Sequence, residues 1–367
     1  MTGLSRATVS ALVADLVAAE LVIEEVIAES EGRSLGRPAQ QVSLRTTAAY
    51  AIGADIGHAH LRVALCDLSG LPVWDHSEAA EVDRAPQSTL DRVAALIRQA
   101  LEACAVPIER VLGLGVGIAS PVGVDGTLFA EGIMPGWTAV HPGRELERRT
   151  GLTTQVTNDA NAGALAEHLY GAGRQIDDMI YARLSAGIGA GILASGRLML
   201  GGGGLAGEIG HLLAVEGGMI CRCGNRGCLE TVASPVAIAR LLQDSWGEPV
   251  EPAELPRLLK EGRVGVRRAV EDAGEALGRA LAGIVTVFNP RLIVVGGDLA
   301  SAGEPLLEAL RRTVAHRALP VAGSLVRIIP GELGPSAEVR GATGLVLARA
   351  PRTLAVMSGT DPRDLPI

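Results

Sequence analysis

Between residues 5 and 20 the apolar side chains Val9, Leu12, Val13 and Leu16 recur at helical spacing. That pattern predicts a helix over 5–20 with Ser5 as its N-cap. Ser5, Arg6, Thr8 and Ser10 fall on the opposite, polar side near its start. Two β-prone runs follow, LVIEEVIAES and AQQVSLR, separated by EGRSLGRP, a segment rich in Gly, Arg and Pro. They read as a hairpin. A helix followed by a hairpin is the back half of a winged helix, and the front half is expected to be encoded upstream of Met1.

From Tyr50 the texture changes. AIGADIG, LRVALCDLSG and LPVWDHSEAA form three strands of a meander, followed by a helix around 87–104 and the strand VLGLGVGIAS. After a loop through MPGW come a short helix, the strand TTQVTND and the helix ANAGALAEHLYGAG. MIYARLSAGIGAGILASGRLML gives two more strands around a Gly turn. Mostly helical chain then leads to the strand RLIVVGGD, the run SLVRIIP and a closing helix near 341–350. A meander, helix and strand given twice imply a two-lobed α/β fold with a cleft between the lobes. The tail after Pro351 reads as disordered.

Composition narrows the function. The 367 residues are 48% hydrophobic, enough for two or three cores, and the net charge of −8 argues against wholesale nucleic-acid binding by the body. Residues 1–50 carry four Arg against six acids, a weak electrostatic footprint for DNA. Aromatic residues make up 2%, so a polar ligand would be held by hydrogen bonds and not by stacked rings. With no apolar run of membrane-spanning length and no charged-then-apolar leader, a soluble cytoplasmic protein with no membrane partner is expected.

The chemistry concentrates in GEIGHLLAVEGGMICRCGNRGCLE, residues 207–230. Cys221, Cys223 and Cys228 with His211 make a Cys3His set, the donor chemistry of a closed tetrahedral zinc site. The alternative is three reduced surface thiols, an oxidation liability. Glu208 and Glu230 bracket this segment. If one nitrogen of His211 binds zinc, the other is left for a ligand hydroxyl, and the two carboxylates can accept from neighbouring hydroxyls; the alternative is solvated loop charge. In TNDANAG (157–163), Asp159 sits where a helix cap or a general base would sit. Three Gly turns, DIGHAH (55–60), SAGIGAG (185–191) and VGGDLA (295–300), either cradle phosphates or are tight turns between strands.

TNDAN, then Glu208-Ile-Gly-His211, then CRCGNRGCLE together resemble the ROK family, the repressors and sugar kinases of bacteria. The resemblance implies an actin-like, hexokinase-type two-lobed ATPase fold, preceded here by a partial winged helix-turn-helix. It implies a partial winged helix over 1–47 and a first lobe over 48–160 completed by the C-terminal helix 336–350. A second lobe with the zinc loop would span 161–335, and a flexible tail 351–367. By similarity zinc is held by His211, Cys221, Cys223 and Cys228, and a sugar by Asn158, Asp159, Glu208, His211 and Glu230. The family forms dimers or tetramers. Ile133 stands where many members have a sugar-binding Asn.

The family's kinases resemble DIGGTK at the first phosphate turn, where this chain has DIGHAH, and GTGxGGG at the second, where it has SAGIGAG. Asp298 stands at the third where Gly is usual. Asp55, Gly57, Gly187, Gly189, Gly296 and Gly297 therefore outline degenerate nucleotide loops, and loss of phosphate contacts weakens ATP binding. The N-terminal stretch resembles the recognition helix and wing of the repressors. Ser5, Arg6, Thr8 and Ser10 would face the major groove and Arg33 and Arg37 the minor groove of operator DNA. The resemblance thus points to a sugar-responsive regulator. Its alternatives are a sugar kinase using ATP and Mg with Asp159 as base, and a sugar-binding protein that does not touch DNA.

Overall fold

The computed structural model describes residues 5–26 and 40–357. Helix α1 (Arg6–Ala18) starts where Ser5 turns extended and its Oγ accepts from the Thr8 amide at 3.2 Å, as a capping residue should. None of its residues is buried. Val9, Leu12 and Leu16, at the spacing of a packing stripe, are exposed. Strands β1 (Val22–Val26) and β2 (Gln40–Leu44) pair antiparallel, with Val22 opposite Leu44. The hairpin is therefore formed; its turn lies outside the described residues.

The first large sheet takes in β3 (Tyr50–Ile56), β4 (His60–Asp67), β5 (Pro72–Ala79), β6 (Val111–Ile118) and β7 (Thr154–Asn158). Its order is β5-β4-β3-β6-β7, with β6 parallel to both neighbours. The unbroken run VLGLGVGI suits β6, which is buried at every residue. Helices α2 (Pro86–Ala103) and α3 (Pro142–Thr150) belong to this half. Its core includes the fully buried Trp137, whose Nε1 donates to the Val82 carbonyl at 2.8 Å.

The second half begins with α4 (Asp159–Tyr170), β8 (Met179–Leu184), β9 (Ile188–Ala194) and the short β10 (Arg197–Leu198). Helices α5 (Glu230–Ala233), α6 (Pro235–Trp246), α7 (Leu255–Lys260) and α8 (Val264–Phe288) follow. Then come β11 (Leu292–Gly296), α9 (Glu304–Arg317), α10 (Pro320–Leu325) and β12 (Arg327–Pro330). The sheet order is β10-β9-β8-β11-β12, with β11 parallel to β8 and β12.

The chain closes with α11 (Ala337–Leu347) and α12 (Ala350–Met357). Helix α11 begins earlier than periodicity suggested, because the turn Gly334–Ser336 ends just before it. The expectation of a disordered tail from 351 is corrected over its first residues. Residues 351–357 continue as helix, and Leu354 packs with Leu68 and Leu347 around Ala49, Ala51, Leu112, Val346 and Ala350. Helices α4 and α11 pack on each other, α4 also against β8 and β9, α11 against β3 and β6. This pair therefore joins the two sheets. Among the described residues no helix is long and apolar enough to cross a membrane.

Candidate metal centre and interlobe cleft

Isolated bridges between Leu213 and Cys228 and between Ile220 and Arg226 fold residues 211–228 into a knuckle. The Cys221 amide donates to the Asn225 carbonyl at 2.8 Å, and the Gly224 amide to the Cys221 carbonyl at 2.9 Å. Gly227 sits at φ 69°, where a Cβ would collide with the Val215 carbonyl oxygen. The result gathers one donor atom each from His211, Cys221, Cys223 and Cys228 within 4.8 Å of one another. Cys223 Sγ lies 3.7 Å from Cys228 Sγ, and Cys221 Sγ lies 3.6 Å from His211 Nδ1. Tetrahedral zinc with ordinary bond lengths requires S···S of about 3.8 Å and N···S of about 3.6 Å. The donor set could hold a metal ion. The alternative of three surface thiols does not describe it, since Cys221 and Cys228 are buried.

His211 also faces the cleft, where it meets Asn158, Asp159, Glu208, Glu230 and Ile133. The five residues assigned to a sugar thus line one space. Asn158, and not Asp159, caps α4: its Oδ1 accepts from the Ala160 amide at 2.8 Å, while its Nδ2 donates to the Ser120 carbonyl at 3.2 Å. The N-cap position thus falls to Asn158, although Asp159 Oδ1 also accepts from the Ala160 amide at 2.7 Å. Asp159 is the first helical residue, and its buried Oδ2 lies 3.0 Å from Arg183 Nη1. Burial pushes the Asp159 carboxyl up, and the guanidinium opposes that. Arg183 Nε donates to Glu338 Oε1 at 2.9 Å, and the Tyr181 hydroxyl donates to the same oxygen at 3.1 Å. Across the cleft, Glu230 Oε1 pairs with Arg222 Nε at 3.0 Å and its Oε2 accepts from the Ile188 amide at 3.3 Å.

Glu208 is different. Burial, with the negative charges of Asp159 and Glu230, pushes its carboxyl up to about 7. An acid raised in the folded state stabilises the fold below its unfolded value and loses that contribution as pH rises through about 7. Thermal melts at pH 5 and pH 8 should therefore show a smaller stability loss in Glu208→Gln than in the unaltered chain; equal losses would contradict a buried, raised Glu208.

The first and third Gly turns have structural explanations of their own. Asp55 Oδ2 is 2.9 Å from His60 Nε2, and its Oδ1 is buried with no hydrogen-bond partner among the described residues. A Cβ at Gly57 would strike the His60 ring, one at Gly296 the Tyr181 hydroxyl, and one at Gly297 the Leu184 backbone. Close packing of β8 on β11 therefore accounts for Gly296 and Gly297 without a phosphate. Gly187 and Gly189 do line the cleft. The Asp298 amide donates to Ser185 Oγ at 3.1 Å, which ties the second turn to the third. His58 lines the cleft and is held by Asp83, its Nδ1 2.8 Å from Oδ1.

At the head of the chain Ser5, Arg6, Thr8 and Ser10 are all exposed near the start of α1. Arg33 and Arg37 lie outside the described residues. Sequence reasoning missed Arg183, Glu338 and Arg222. One signal was available: an arginine inside the buried strand MIYARL must find a counter-ion.

Residues 51–349 match the model of the ROK family. The chain belongs to that family. A putative xylose repressor of Caldicellulosiruptor sp. (strain Rt8B.4) is 30% identical over 363 residues, covering 95% of this chain and 90% of its own length. A solved ROK family transcriptional regulator, a homologue of the E. coli MLC protein, superposes with TM-score 0.79 at 27% identity, over 96% of this chain and 91% of that one. A ROK family glucokinase from Streptomyces griseus, solved with glucose and AMPPNP, superposes with TM-score 0.72 at 26% identity, over 81% of this chain and 99% of its own. The body of this ROK chain is thus the hexokinase-like mixed α/β fold shared by the family's regulators and kinases.

Proposed function

We propose that this ROK chain is a sugar-responsive transcriptional regulator of the cytoplasm, acting as a homodimer or homotetramer. The observation that carries the reading is the head formed by α1 and the β1–β2 hairpin. The glucokinase is matched over nearly all of its length yet leaves about a fifth of this chain unmatched, whereas the two regulator relatives extend over 95% and 96% of it. In this reading Ser5, Arg6, Thr8 and Ser10 face the major groove of an operator, with Arg33 and Arg37 reaching the minor groove. A carbohydrate enters the cleft and exchanges hydroxyl hydrogen bonds with Asn158, Asp159, Glu208, Glu230 and the second nitrogen of His211. Zinc on His211, Cys221, Cys223 and Cys228 fixes the ring that the sugar meets. The sugar then shifts the assembly between DNA-binding and released arrangements through unequal affinity for the two.

The decisive experiment is titration calorimetry with an aldose panel including xylose and glucose, followed by operator selection with and without the sugar that binds. Binding together with an altered operator affinity supports the regulator. Binding without any DNA selection supports a sugar-binding protein that leaves DNA alone. No binding across the panel defeats both.

The kinase alternative is favoured by one observation, the placement of Asp159 in the cleft. Against it, Asp159 already holds a guanidinium, and the nucleotide loops are degenerate at His58, Ala186 and Asp298. A coupled ADP-release assay with the same aldoses and Mg-ATP is expected to show no turnover; turnover abolished by Asp159→Asn would establish the kinase instead.

A further inference from the structure

Arg183 projects from β8, a strand buried at every position, and it is itself buried. It holds two buried carboxylates that belong to different helices. Asp159 opens α4 and lines the cleft; Glu338 sits in the first turn of α11 and also takes the Tyr181 hydroxyl. With little water to replace a lost partner, weakening one of these contacts is felt by the others. We propose that Arg183 is the positioning residue that couples the cleft to α11: a hydroxyl that takes over Asp159 Oδ2 loosens its hold on Arg183 and changes how Arg183 grips Glu338. The proposal rests on the sugar reading only for the ligand that would perturb Asp159.

Helix α11 is suited to carry such a change. A methyl group at Gly53 would collide with the Val339 carbonyl, one at Gly115 with that of Ala342, and one at Gly341 with that of Ala162. The helix is therefore packed backbone to backbone on β3, β6 and α4, and it shifts with them instead of bending. At its far end Val346 and the following Ala350 pack on Ala49, Ala51 and Leu112. Ala49 lies just beyond β2, the second strand of the head. A contact broken at Asp159 thus has a continuous packed route through Arg183, Glu338 and α11 to the root of the helix-and-hairpin head.

The test uses the full chain with neither sugar nor DNA, so its failure is distinguishable from failure of the regulator reading. Amide hydrogen exchange is followed in residues 337–350 and 49–51, with 292–296 in the second sheet as the control. Asp159→Asn is expected to speed exchange in the first two segments about fivefold or more, and in the control by less. In an Arg183→Met background the same substitution should add less than about twofold, and Arg183→Lys should restore part of the coupling. Where Arg183→Met does not fold, Glu338→Gln serves as the background. The proposal is overturned if 337–350 and 49–51 do not respond, if 292–296 speeds up equally, or if the Asp159→Asn effect persists undiminished without Arg183 or Glu338.

Discussion

Removal of metal from the His211–Cys221–Cys223–Cys228 knuckle is expected to lower the melting temperature by ~10 °C or more. Structural zinc contributes on the order of 10 kcal/mol in small peptides. Each kcal/mol shifts the melting point of a domain of 150–250 residues by roughly 2–4 °C. Recovering about half of the peptide value already gives the stated shift. Backbone hydrogen bonds such as that from the Gly227 amide to the Met219 carbonyl, and the Arg222–Glu230 pair, also hold this segment, but its two bridges are isolated, and Leu213 and Ile220 beside them are exposed. Cys223→Ala is the informative variant, because Cys223 is exposed and its loss leaves no buried cavity. Scanning calorimetry on protein whose metal loss is verified by mass spectrometry checks both. An unchanged melting temperature after verified removal would refute the structural role.

The second large effect is expected at the buried ion pairs. Arg183→Met should cost ~3–5 kcal/mol, because it strands Asp159 and Glu338 as buried carboxylates without their shared cation. Asp159→Asn removes one of those charges, so adding it to Arg183→Met should cost much less than the two single losses summed. Urea denaturation of the three variants measures this. A loss within about 0.5 kcal/mol for Arg183→Met would mean that the network does not hold the lobes together.

How legible the site was depended on what its chemistry required locally. The Cys3His knuckle was readable because its donors lie close in sequence and their type is specific to metals. Glu208 and Glu230 were placed beside it for the same reason, and both line the cleft. Asp159 was located, but the capping role of its neighbour Asn158 was not read. Either side chain can accept helix amides, and both take the Ala160 amide; only the backbone, extended at Asn158 and helical from Asp159, makes Asn158 the N-cap. The Gly turns were ambiguous for a related reason. A glycine demanded by a close strand, as at Gly296 and Gly297, looks in sequence like one demanded by a phosphate. Arg183 and Glu338 were invisible as a pair because they stand 155 residues apart and meet only across β8 and α11.

While α9, α10 and α12 were not read, the sequence by itself determined the family, the order of strands, a Cys3His set that could hold a metal ion and the polar residues at the start of α1. Each follows from local spacing or from residue type. Only the tertiary structure decided that the cleft carboxylates Asp159 and Glu230 come with an arginine each, and that Glu208 comes with none among the described residues. It also decided that α11 runs from Arg183, beside that cleft, to the root of the head. Such pairings join residues brought together by the packing of two sheets through α4 and α11, and a buried charge takes its partner from whatever that packing delivers.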